Sequence, residues 1–160
     1  MRFAKISLEE AIFQTEKALG LPIVNPGKVA ESLELLELPK RATSRSAGYD
    51  FHAPFSINAR KGDVVRIPLY VKVVDMPEDT VLLIFNRSSL ALKYGLRLDN
   101  AVGVIDADYA NGIMFQATAN DDISIMQGER ICQGIFLRYG VTDDDVAEGE
   151  RDGGIGSTGR

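Results

Sequence analysis

The spacing of apolar positions changes near residue 40. Between Ser7 and Leu19, residues Leu8, Ala11, Ile12, Thr15 (weakly), Ala18 and Leu19 recur at i, i+3, i+4 and i+7, the signature of a helix with one apolar face. Ser7 and Glu10 form an S-x-x-E capping box at its start, and Gly20 marks its end. Pro22, Asn25, Pro26 and Gly27 then predict a loop. Leu33–Leu38 fits either a strand or a helix, and Pro39 ends it in both cases.

From Arg41 onward the period shortens to two. Val65, Ile67, Leu69, Val71 and Val73 alternate with less apolar neighbours and predict one half-buried strand, which Pro68 confines to a sheet edge or a bulge. Val81–Phe85, Ala101–Ile105, Ile113–Ala117 and Arg130–Tyr139 are further strand candidates, separated by Gly, Asp and Asn. Many short strands with turn signals every ~8–12 residues predict an all-β sandwich or barrel. The end differs again: Asp143–Asp145, Glu148, Glu150 and Asp152 form an acidic run before the Gly-rich stretch from Gly153 to Arg160. Too little apolar surface is available there to offset ordering entropy, so 143–160 reads as a mobile arm on a single domain spanning 1–142.

Composition narrows the chemistry. At 160 residues, 45% apolar and 26% charged, the chain is an ordinary one-domain globular sequence. No apolar run approaches the ~18 residues of a membrane span and Met1–Phe3 lacks a signal peptide's apolar core, so an unanchored cytoplasmic protein is expected, in the host cytoplasm if the source is viral. Cys132 and His52 are each the sole residue of their type, which excludes an internal disulfide, a CxxC pair and a Cys-rich zinc site, and disfavours a zinc deaminase or a Ser-His-Asp triad. A net charge of −5 argues against sequence-independent nucleic-acid binding. It leaves room for one small anion held by a local cluster.

Four polar clusters interrupt the strand-like stretches: Ala47–Asp50, Arg87–Ser89, Asn100 with Asp106–Tyr109, and Gly128–Gln133. Turn chemistry explains each of them singly. Together they supply what a phosphate-ester hydrolase needs: Arg and Ser donors for phosphate oxygens, carboxylates for a water or a metal, and glycines that let backbone amides approach. The tail is no P-loop, since G-x-x-x-x-G-K-[ST] is missing.

In this order and spacing, the clusters resemble the five motifs of the trimeric dUTPase (dUTP diphosphatase) family: AGYD at 47–50, RSSLALKYG at 87–95, NAVGVIDADY at 100–109, GERICQ at 128–133 and RDGGIGSTG at 151–159. The resemblance covers about three quarters of the chain, from Pro39 to Arg160. It implies a jelly-roll-like all-β domain of the β-clip type, here with a short helix inserted over 7–20 after a first strand at Met1–Ile6, and a flexible C-terminal arm. It also implies a homotrimer with shared active sites that hydrolyses dUTP to dUMP and pyrophosphate, keeping uracil out of DNA and supplying dUMP for dTMP synthesis.

By the same resemblance, Asp106 activates the attacking water. Asn100, Gly103 and Met114 belong to the hairpin that holds uracil, and Tyr109 lies against the deoxyribose where a 2′-hydroxyl would clash. Arg87, Ser88, Ser89 and Gln133 contact phosphates, and Asp50 reaches a hydrated Mg²⁺ through water. Arg151, Ile155, Gly156 and Ser157 of the arm close over the nucleotide. Departures are Asn86 where Pro is common, Gly112 one residue late, a fifth motif one residue short, and Ile155 in place of a stacking aromatic. A dCTP deaminase of related fold is the nearest alternative, yet the place of its catalytic Glu is Gln116 or Ala117. A nucleotide-sensing binding protein is the other.

Overall fold

The computed structural model describes residues 1–149 and 151, so the expectations for Ile155, Gly156 and Ser157 lie outside the described residues. The strands are β1 (Arg2–Lys5), β2 (Lys40–Arg41), β3 (Tyr49–His52), β4 (Ile57–Ala59), β5 (Val64–Pro68), β6 (Val71–Val74), β7 (Thr80–Asn86), β8 (Leu96–Leu98), β9 (Gly103–Ile105), β10 (Met114–Ala119), β11 (Ile123–Ile125) and β12 (Arg130–Arg138). Their pairing is antiparallel throughout. A five-stranded sheet runs β2-β3-β12-β7-β9, a three-stranded sheet β5-β10-β8, and two ribbons pair β1 with β6 and β4 with β11. Phe51, Ile57, Ile67, Val71, Leu82, Leu96, Phe115, Ile125 and Ile131, drawn from all four sheets, meet in one buried core. The all-β expectation holds.

The N-terminal excursion is larger than the sequence indicates. α1 (Leu8–Leu19) starts at Ser7, whose Oγ accepts from the Glu10 amide at 3.1 Å, and stops at Gly20, which takes φ 69° and donates to the Glu16 carbonyl. A second helix, α2 (Pro26–Leu35), begins where Pro26 and Gly27 predict a loop and takes in the first half of the ambiguous Leu33–Leu38. The reason is local: Asn25 Oδ1 accepts from the Gly27 amide at 3.1 Å, and Pro26 occupies the first turn, where its missing N–H costs no helical bond. The insertion is therefore two helices rather than one, and Ala11, Val29 and Leu36 bring it into the same core as the strands.

The single strand expected over Val65–Val73 is also two. Pro68 ends β5, which is an edge strand as its proline requires, and the chain turns sharply through the fully buried Tyr70 at φ 56° before β6. A short helix, α3 (Ser88–Tyr94), follows β7 and is closed by Gly95.

Candidate active site

Three of the sequence clusters converge on the five-stranded sheet. Register pairs Gln133 of β12 with Asp50 of β3 on one side and with Phe85 of β7 on the other, so the first and fourth clusters touch beside the end of β7. Gly48 leaves room for the Gln133 amide there: a Cβ at that position would sit 2.7 Å from Gln133 Oε1 and displace it. Gln133 Nε2 in turn donates to the Asn86 carbonyl at 3.3 Å. Asn86, where a proline is expected by resemblance, donates from Nδ2 to the Leu96 carbonyl at 2.7 Å and ties the end of β7 to β8.

Asp50 lies between two guanidinium groups. Arg87 Nε is 2.9 Å from its Oδ1 and Arg130 Nη1 is 3.2 Å from its Oδ2, with the Asp50 side chain only 13% exposed. Arg87 also donates to the Arg130 carbonyl. The same guanidiniums line an open hollow with His52, Ser89, Leu90, Gly128 and Glu129. Ser88 is exposed and stands outside that lining. His52 is an addition that the sequence did not assign to this place. Burial holds its imidazole below the ordinary value, partly countered by Glu37 and Asp50. Arginine forks and a serine hydroxyl facing one hollow fit phosphate oxygens.

A second cleft of about 380 Å³ opens on the hairpin between β8 and β10. Asn100, Gly103, Tyr109, Met114 and Arg151, all expected from sequence, line it together with Leu98, Ile105 and others. Its turn is tight: Ala101 takes φ 61° and the Val102 amide donates to the Asn100 carbonyl at 2.6 Å, a γ-turn geometry that non-glycine residues adopt at a cost. Asp106 is not among the lining residues; half exposed at the rim, it is joined to the cleft by Arg151, which bridges it to Asp108, with Arg151 Nε 2.9 Å from the Asp108 carboxylate. The Arg151 guanidinium also lies over the Tyr109 ring, 5.7 Å from its centroid. Tyr109 is nearly buried. Its hydroxyl donates to the Gly112 carbonyl at 3.2 Å, and burial, with Glu10 adding to it and Arg151 opposing, holds its phenol protonated beyond the ordinary value.

The floor of this cleft carries a network that sequence reading missed. Gln116 Nε2 donates to Asp99 at 2.9 Å, Thr118 Oγ1 donates to the other Asp99 oxygen at 2.6 Å, and Arg66 Nε donates to Gln116 Oε1 at 2.8 Å. Alternation along β10 places Gln116 and Thr118 on one face, but only the pairing of Gln116 with Arg66 of β5 brings Arg66 into the network. Both ends of the Gln116 amide are thereby engaged, and Ala117 is fully buried. Neither offers the acid that deamination needs.

The two clefts share no lining residue. One is shaped for a flat, partly apolar group beside a carboxylate, the other for anionic oxygens, a division suited to the class of all-β enzymes that grip a nucleotide by its base and its phosphates separately. Comparison with known proteins gives the family. The dUTPase family model matches residues 35–159. The deoxyuridine 5′-triphosphate nucleotidohydrolase of Lactococcus lactis is 41% identical over 134 residues, covering 78% of this chain and 89% of that relative, and that of Desulfitobacterium hafniense is 35% identical over 133 residues, covering 77% and 87%. The crystal structure of a Streptococcus mutans dUTPase superposes with a TM-score of 0.61 at 37% identity, over 66% of this chain and 88% of that one. The fold, without closer sequence likeness, is shared with a dUTPase from phage phi11 of S. aureus at 19% identity, described as coordinating a structural Mg(II) ion; it covers 71% of this chain and 91% of that one at a TM-score of 0.61. This chain belongs to the dUTPase family.

Proposed function

We propose that the protein hydrolyses dUTP to dUMP and pyrophosphate. The observation that carries this is the hairpin cleft, where Asn100, Gly103, Tyr109 and Met114 surround a nucleoside-sized space with the Asp106 carboxylate at its rim. Uracil enters between the hairpin backbone and Met114, and the sugar rests on Tyr109. Asp106 orients a water and takes its proton as the water oxygen attacks the α-phosphorus. The bond from that phosphorus to the bridging oxygen breaks, and pyrophosphate leaves with the electron pair. Arg87 and Ser89, which line the hollow, receive the phosphates, with Ser88 and Gln133 beside it assigned to them by the family resemblance alone. Arg151, already beside Asp106, adds a cation where negative charge accumulates.

Among the described residues, no three His, Cys, Asp or Glu side chains converge as a metal cage. A Mg²⁺ that keeps most of its own waters would ask for few protein ligands. Asp50, its oxygens already facing Arg87 and Arg130, would hold such an ion only through water. When bound, the ion neutralises part of the triphosphate charge. The homotrimer with shared sites that the family resemblance implies would let the nucleoside cleft of one copy work with the phosphate hollow of another, since the two have no lining residue in common. Among the described residues no helix is long and apolar enough to cross a membrane, and the reaction fits a cytoplasmic setting.

Pyrophosphate release from dUTP, dCTP, dTTP and UTP, each with Mg²⁺ and with chelator, tests the reading. Turnover of dUTP above the other three supports it. Binding of dUTP without pyrophosphate release, or ammonia from dCTP, overturns it.

A further inference from the structure

Helix α1 lies outside the residues matched by the family model. Its buried face is chemically odd: beside Ala11 it carries Gln14 and Thr15, both under a tenth exposed. Polar side chains on a packed face are costly unless each finds a partner. Thr15 Oγ1 meets the Tyr70 hydroxyl at 2.7 Å. Gln14 Nε2 donates to the Gly112 carbonyl at 3.0 Å, and one turn earlier Glu10 Oε1 accepts the Gly112 amide at 2.7 Å. A single turn of α1 therefore holds the Gly112 residue by both its amide and its carbonyl. A side chain there would push the Gln14 amide aside, since a Cβ on Gly112 would meet its nitrogen at 2.7 Å.

What this grip reaches is the candidate active site. The carbonyl that Gln14 holds is the one that accepts from the Tyr109 hydroxyl, and the Tyr109 amide donates to the Asp106 carbonyl at 3.1 Å. Rejecting one added hydroxyl on a sugar depends on how firmly the opposing wall stands, because a yielding apolar wall discriminates by only about 10²-fold.

We propose that α1 is a positioning element for sugar discrimination: Glu10 and Gln14 fix Gly112, and through it the Tyr109 ring, so that the cleft takes a 2′-deoxyribose and refuses a ribose. The inference rests on the reading of this cleft as the dUTP site. Glu10 and Gln14 act through Tyr109 and touch no substrate.

The test uses the full chain and four variants. Glu10→Ala removes the acceptor, Gln14→Met fills the same space without the donor, Glu10→Gln restores an acceptor oxygen, and Phe13→Gly weakens the helix from its exposed face without reaching Gly112. Loss of a hydrogen bond to a charged group predicts that Glu10→Ala lowers the ratio of kcat/KM for dUTP over UTP by about tenfold, with kcat for dUTP within about twofold. Gln14→Met moves the ratio the same way. Glu10→Gln keeps it, and Phe13→Gly lowers Tm but leaves it unchanged. An unchanged ratio in both Glu10→Ala and Gln14→Met, or an equal fall in Phe13→Gly, overturns the proposal. Hydrogen exchange of the Gly112 amide in ligand-free protein gives a readout independent of turnover: it quickens by about tenfold or more in Glu10→Ala and not in Phe13→Gly. Parent protein that fails to hydrolyse dUTP removes the functional reading, whereas an active parent whose Gly112 exchange ignores Glu10→Ala removes the α1 inference alone.

Discussion

Asp106→Asn separates the charge of one carboxylate from its shape. Asparagine occupies the same volume, and Arg151 retains Asp108 at 2.9 Å, so the rim loses one of two anchors. The lost pair has an Asp106 side chain that is 50% exposed, and solvent screening at such a site holds its worth to under ~1 kcal/mol. For a domain of this size that moves Tm by no more than about 2–4 °C. The chemical loss is larger, because a positioned carboxylate base contributes ~10²–10⁴-fold, or ~2.7–5.5 kcal/mol of barrier. The two effects are therefore separable in one pair of measurements. Pyrophosphate release at saturating dUTP and Mg²⁺ is expected to fall by about 10²-fold or more, with KM within about threefold and a nearly unchanged melting curve. Turnover within about threefold of the parent would remove Asp106 from proton transfer, and a rate loss that tracks a Tm loss would assign it to the fold.

Three further outcomes follow from the geometry. Burial holds His52 below its ordinary 6.5, so the unfolded chain takes up the proton first; stability is complete above that pH and declines as pH falls through the folded value, and Tm measured between pH 5 and 8 should lose this part of its slope in His52→Gln, to within about the scatter of replicate melts. Ala101 stands at φ 61°, so Ala101→Gly should be neutral or stabilising by up to ~1 kcal/mol in urea melts, while Ala101→Val should destabilise by ~1–2 kcal/mol and raise KM for dUTP. Arg87→Lys keeps a charge but cannot reach the Asp50 carboxylate and the Arg130 carbonyl as the guanidinium does; KM for dUTP should rise about tenfold, and an unchanged KM would place the phosphates elsewhere.

What could be read from the chain was mostly what is contiguous in it. The capping Ser7, the stop at Gly20, the edge role of Pro68 and the clusters at 47–50, 87–89 and 100–109 are local patterns, and Asn100, Gly103, Tyr109, Met114 and Arg151 line one cleft. Residues whose partners are distant gave no such sign. Glu10 reads as the second half of a capping box, yet its carboxylate is committed to Gly112, far along the chain. Asp99, Gln116, Thr118 and Arg66 become a network only once β5, β8 and β10 are placed side by side. The turn at Tyr70 is invisible to periodicity because alternation continues across it, and α2 is hidden because a proline and a glycine that suit a loop equally suit a helix start.

The chain leaves its strands after Lys5 and rejoins them at Lys40, and the point of departure also fastens the return. Lys5 Nζ donates to the carbonyls of Leu33 and Glu34 at 2.7 and 2.8 Å, satisfying the open end of α2, whose own last turn has no basic residue. Just before it, Phe3 packs against the rings of Tyr49, Phe51 and Phe136, which belong to the strands beyond the insertion. The two helices thus form a loop drawn shut at its neck, like a purse on a string. Loop-closure entropy grows only with the logarithm of length, so a neck of this kind lets the enclosed segment be lengthened, exchanged or lost over generations while the strands on either side keep their register. The helical segment is in this sense attached at two places: at the neck, by Lys5, and at Gly112, by Glu10 and Gln14.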